Sequence, residues 1–294
     1  GRRRTVAAVS QAQSAGALAL FAIEREIRSA GLGFASLDTT FLGCKVKATN
    51  TARSPAEFEF PFQPVEIKDG KEIWVLTGSS SNMFVGARFT GSQSGEFKME
   101  KSNAGFQAGD VMVGTKDTNT TDCLMMEVTK GVGDVVTLPS GLTEIYPNVQ
   151  HTATSYTNFY TGVATTASHN GSNNNMLDGG LTSLGEGWIY SLGPKPMLSV
   201  WKLKDNRLLR YNALEDTATT PTQPNLGRLI AVRIAVLVRT SQYEKDEVTT
   251  ENPRWANGAK AFDVSAVDSD WKHYRFRVYE TVIPLRNTIW GQIQ

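Results

Sequence analysis

One stretch near the start of the chain limits the available folds more than any other. From Thr5 to Ala30 there is no proline and no alternating strand pattern, while Val9, Ala12, Gly16, Leu20, Ile23 and Ile27 recur at steps of three and four. That spacing puts them on one side of an α-helix. Gln11, Gln13, Ser14 and the charged group Glu24, Arg25, Glu26 and Arg28 fall on the opposite side, and Gly31 and Gly33 supply the residues that commonly end a helix. At 1.5 Å per residue such a helix is about 39 Å long. Leu20, Ile23 and Ile27 are therefore expected to pack on the core, and Arg25, about 160° from Ile27 on the helical wheel, to face outward.

After Gly33 the pattern changes to short β-branched and aromatic runs broken by Gly, Asn, Asp and Pro, as expected of antiparallel strands. Val65–Ile67 and Glu72–Leu76 flank Asp69-Gly70, a pair suited to the positive φ angles of a type I′ hairpin. Leu198–Leu203 and Arg207–Tyr211 flank Asp205-Asn206 in the same way. Further strands are expected within 82–90, 95–101, 109–115, 123–129 and 134–138, with stronger ones at Arg228–Thr240 and Trp271–Val282. The polar stretches 165–180 and 241–270 read as exposed loops. The expected class is α+β: residues 1–31 form the helix, and residues 32–294 form a β-rich domain whose strand groups divide near 140–180.

Charge and motifs exclude several kinds of function. The 30 Lys and Arg balance 29 Asp and Glu, and only Arg2-Arg3-Arg4 forms a basic run, which argues against a nucleic-acid partner. Gly91-Ser92-Gln93-Ser94-Gly95 has Gln where a nucleophile elbow needs Ser. His151, His169 and His273 are isolated, with no spacing that would hold zinc from one short segment. Asp263, Asp268 and Asp270 carry oxygens suited to calcium but do not match an EF-hand loop, and they read better as a solvated acidic loop. The chain reads as a non-enzyme without cofactor or metal. Cys44 and Cys123 form no CxxC pair; they suit a disulfide if the protein is exported, and otherwise two buried thiols.

Two segments resemble a known family. Ala19–Gly33, with its acidic and basic turn leading into Arg28-Ser29-Ala30-Gly31, is similar to the region past the membrane segment of PilW-like minor pilins. Ala231–Arg239 and Tyr274–Asn287, which closes on Val282-Ile283-Pro284-Leu285-Arg286-Asn287, resemble the same family. Gly109–Val113 and Leu203–Tyr211 fit its strand pattern more faintly, and residues 140–180 carry no match.

The resemblance implies a pilin-like fold and a structural role in priming type IV pilus assembly, at or near the pilus tip. It also implies an N-terminal membrane anchor outside this sequence, and other minor pilins, a tip adhesin and the major pilin as partners. The location implied is the inner membrane with a periplasmic domain, then the extracellular pilus. An oxidising periplasm would pair Cys44 with Cys123, and the outward helix residues Glu24, Arg25 and Arg28 would form the assembly interface. PilW-like proteins are similar to the type II secretion pseudopilin GspJ, so a secretion pseudopilin is one alternative. Another is a glycan-binding adhesin module using Trp188, Tyr190, Trp201 and Trp255.

Overall fold

A computed structural model describes residues 2–34, 42–79, 86–93, 95–101, 105–117, 122–170, 185–204, 207–215 and 231–284. Among them strands predominate: one α-helix, α1 (Arg2–Ser29), and a 3-10 turn (Trp271–His273) accompany twenty strands. This corrects the expected α+β class with a long helix packed on an antiparallel β domain. The protein is mostly β-sheet with a single helix, because helical spacing is confined to the first 29 residues and most of the later apolar runs alternate at period two. By internal contacts the chain forms two compact units, one of residues 1–28 with 230–285 and the other of residues 29–229 with 286–294.

The larger unit contains β1 (Lys45–Thr49), β2 (Glu57–Pro61), β3 (Val65–Lys68), β4 (Glu72–Thr77), β5 (Ala87–Gln93), β6 (Glu96–Met99), β7 (Val111–Lys116) and β8 (Asp122–Glu127). It continues with β9 (Val135–Thr137), β10 (Thr143–Ile145), β11 (Val149–Gln150), β12 (Ser155–Thr157), β13 (Ala164–Thr166), β14 (Gly187–Gly193), β15 (Met197–Lys204) and β16 (Arg207–Asn212). Eight of these form one sheet in the order β11-β6-β5-β14-β7-β8-β1-β2, and β16-β15-β4-β3 form a second. The first sheet is mixed, since β1 and β8 run parallel with Val46 opposite Cys123.

Alternation along the central strands builds a core on each face of the eight-stranded sheet. Val111, Val113, Cys123, Met125 and Tyr190 join Trp74, Leu76, Leu198 and Val200 of the four-stranded sheet. Their neighbours Met112, Leu124, Met126 and Ile189 point the other way, to Phe89, Phe97, Phe106, Val128 and Val149. The Cys44–Cys123 disulfide lies in the first core and joins the start of β1 to β8.

Asp69 and Gly70, at φ 51° and 64°, make the β3–β4 hairpin turn that the sequence signals. The second hairpin pairs β15 with β16, and its expected turn at Asp205-Asn206 lies outside the described residues, as do 82–85 and 228–230 of two expected strands. Strand β14, between β5 and β7, is not among the expected strands. Gly187 is needed there: a Cβ would stand 2.0 Å from the Thr115 carbonyl oxygen of the paired strand.

In the smaller unit β17 (Ala231–Arg239) pairs antiparallel with β20 (Phe276–Pro284), and β18 (Arg254–Trp255) pairs with β19 (Lys260–Ala261). The expected final strand from Trp271 is corrected at its start, where residues 271–273 form the 3-10 turn. A two-stranded ribbon is marginal alone. Helix α1 meets it at one point, where Gly16 abuts Val238 and Tyr279; the register places Val232, Ile234, Val236 and Ile283 on the same face as those two residues.

Candidate functional site

Within its unit, α1 has two distinct sides from Gly16 onward. Gly16, Ile23 and Ile27 are buried and Leu20 is half-buried. Leu18, Phe21, Arg25 and Arg28, spaced by three and four, form an exposed stripe with Leu18 68% and Phe21 64% accessible. Of the three residues expected at an assembly interface, Arg25 and Arg28 are exposed, whereas Glu24 is half-buried and accepts a 3.0 Å hydrogen bond from Nε of Arg28. Glu24 and Arg28 thus neutralise each other, leaving Arg25 as the charge at the foot of an apolar stripe. Leu18 and Phe21 escaped the sequence reading. Their signal was a second three-residue step in line with Arg25.

The ribbon beneath the helix is braced from its far face. Arg233 and Glu280 form a 3.2 Å ion pair, and the other Glu280 oxygen accepts from the Ala256 N–H at 2.8 Å, tying down the β18–β19 turn. Arg239 pairs with Asp268 and lies 4.1 Å over the Tyr274 ring. Glu244 receives two hydrogen bonds from Arg275, at 2.7 and 3.0 Å. The stretch 241–270 is mostly exposed, as expected, yet these contacts order it. Asp268 is committed to Arg239, and an Asp263 oxygen accepts from Ser265 and Ala266; among the described residues no cluster of acidic, His or Cys side chains is arranged to hold a metal.

Polar clusters in the larger unit hold backbone in place. One Glu127 oxygen accepts from the Ser168 N–H (2.7 Å), the Ser168 hydroxyl (3.2 Å) and the His169 N–H (3.2 Å), and the other accepts from the Tyr156 hydroxyl. Asn170 is buried and brackets the Glu127 peptide from both sides, which corrects the expectation of an exposed loop at 168–170; residues 171–180 lie outside the described residues. Asp110 accepts from Tyr160 (2.5 Å), Ser191 (3.2 Å) and the Gln107 N–H (3.0 Å); burial pushes its pKa up, against the pull of those donors. His151 is buried against the Phe97 ring and burial pulls its pKa down to about 4. His169 bonds the Thr49 carbonyl at 2.9 Å, and burial lowers its pKa too. The aromatics considered for sugar binding are dispersed. Tyr190 and Trp201 are buried, Trp188 packs against the first core, and Trp255 packs near Phe262.

No described helix is long and apolar enough to cross a membrane. Residues 200–287 match the model of a family described as Type IV Pilus-assembly protein W. The match covers less than a third of the chain, and takes in β17, β20 and the braced connection between them. No curated protein and no solved structure matches the chain.

Proposed function

We propose that this protein is a minor pilin of a type IV pilus, a structural subunit that primes assembly and sits at or near the tip. The observation that carries the reading is the family match over the ribbon that Gly16 of α1 abuts, together with the exposed Leu18–Phe21–Arg25 stripe on that helix. Apolar side chains one turn apart next to a charge suit a helix that contacts other helices on assembly. The partners in this reading are other minor pilins, the major pilin and a tip adhesin. The protein would reside in the inner membrane with its folded part in the periplasm, and later in the pilus. It would need no cofactor and perform no catalysis, in keeping with Glu127 and Asp110 being occupied in holding backbone and hydroxyls.

Deleting the gene and counting surface pili by electron microscopy tests the role. The reading expects few or no pili, restored by the wild-type gene. Unchanged pilus number and length after deletion would contradict it.

A further inference from the structure

The two edges of the β17–β20 ribbon differ. The Thr240 N–H bonds the Arg275 carbonyl at 2.9 Å, and the unbroken register from there turns the backbone groups of Val232, Ile234, Val236 and Val238 toward β20. The N–H and C=O groups of Arg233, Ala235, Leu237 and Arg239 therefore point outward from the other side of β17. Among the described residues β17 pairs with β20 alone. None of the side chains at those four positions is buried.

An open edge is a template for pairing, and folded proteins commonly blunt it. The outer edge of β20 is blunted: it ends at Pro284, which has no N–H to offer, and Glu280 holds the β18–β19 turn beside that strand through the Ala256 N–H at 2.8 Å. No such device guards β17. The strand contains neither Pro nor Gly, its ladder has no bulge, and its two outward charges are paired within the chain, Arg233 with Glu280 and Arg239 with Asp268.

The sequence of β17 suits its own copy. Turned antiparallel about its midpoint, Ala235, the strand meets itself over its full nine residues. Ala235 then faces Ala235, Arg233 faces Leu237, Val232 faces Val238 and Ile234 faces Val236. No like charges are opposed, and β-branched side chains pair with one another on one face.

We infer that β17 pairs with β17 of a second copy of this chain, joining two ribbons into one four-stranded sheet in the order β20-β17-β17-β20. The contact is isologous, so it closes at two molecules. The added strands also relieve the marginal stability of a two-stranded ribbon. This inference stands apart from the pilin reading, and either can fail alone.

Sedimentation velocity and cysteine crosslinking on the full chain test it. Wild type should form a concentration-dependent dimer. Ala235→Pro removes the two central hydrogen bonds between copies while leaving the β20 ladder its donors, and should weaken the dimer at least about tenfold. Crosslinking reads the pairing without that variant. Ala235→Cys should give a disulfide-linked dimer on mild oxidation, because the two α-carbons would lie about 5.5 Å apart at the axis. Leu237→Cys should not, since an offset of four residues puts its copy about 13 Å away. The native cysteines do not compete, being bonded to each other. Monomeric wild type, undiminished association of Ala235→Pro, or crosslinking of Leu237→Cys as fast as that of Ala235→Cys would each overturn the inference.

Discussion

Gly16 of α1 meets Tyr279 of β20 so closely that a Cβ at Gly16 would lie 2.4 Å from Cε2 of the ring and 2.6 Å from Cγ2 of Val238. The helix approaches the ribbon at a point where only hydrogen fits. Replacing Gly by Ala inside a helix normally gains about 1 kcal/mol. Here the overlap with two side chains, costing about 1–3 kcal/mol, should outweigh it. Gly16→Ala is expected to lower stability by about 1 kcal/mol and Gly16→Val by more. Thermal unfolding, with hydrogen exchange of β17 and β20 to localise the loss, checks this.

Two buried titratable groups oppose each other in pH dependence. Burial, with Glu72 adding to it and Lys68 against it, raises the Glu66 pKa to about 7. Its protonated form favours the folded state, so this stability is whole below about pH 4.5 and is lost as pH rises through about 7. His151, held near 4 by burial, acts in reverse: its contribution is whole above about pH 6.5 and is lost as pH falls through about 4. Glu66→Gln should therefore gain on the order of 1–2 kcal/mol at pH 8 and little at pH 4. His151→Leu should remove the loss on the acid side. Urea melts from pH 4 to 8 read both, and parallel profiles for the wild type and each variant would refute the assignment.

The Cys44–Cys123 bond closes a loop with a sequence separation of 79, and both residues are buried in the first core. In the chain-entropy account such a loop is worth about 4 kcal/mol. The paired Cys44→Ala/Cys123→Ala variant should lose stability of that order. Intact mass before and after reduction, read with the melting curve of the variant, checks the bond and its contribution separately.

Much of the larger unit could be read from the sequence where local chemistry decides structure. Asp69-Gly70 announced its hairpin because few residue pairs accept two successive positive φ angles, and β7 and β8 are short apolar runs that overlap the expected strands 109–115 and 123–129. Strand β14 was hidden because Gly187 reports the approach of Thr115, a distant neighbour. The class was misjudged because the helix pattern is the clearest in the chain, whereas many of the strands that outweigh it are only two to five residues long. On the helix, Ile23 and Ile27 were legible as buried and Arg25 as exposed. Leu18 and Phe21 were not, since an apolar residue is ordinarily assigned to a core and only the structure shows these two exposed. The clasps of Asp110 and Glu127 join residues tens of positions apart, and no local signal marks them.

The account rests on the exposed stripe of α1 acting in assembly, which piliation of strains carrying Phe21→Glu or Arg25→Glu tests most directly. Both side chains are exposed, so the purified variants should melt within about 0.5 kcal/mol of wild type. Ile23→Asp, buried at 2% accessibility, should instead destabilise by about 3 kcal/mol or more and serves as the folding control. With folding and protein level intact, the Phe21→Glu and Arg25→Glu strains are predicted to show several-fold fewer surface pili. Wild-type pilus numbers in both strains would contradict the assembly role assigned to this face.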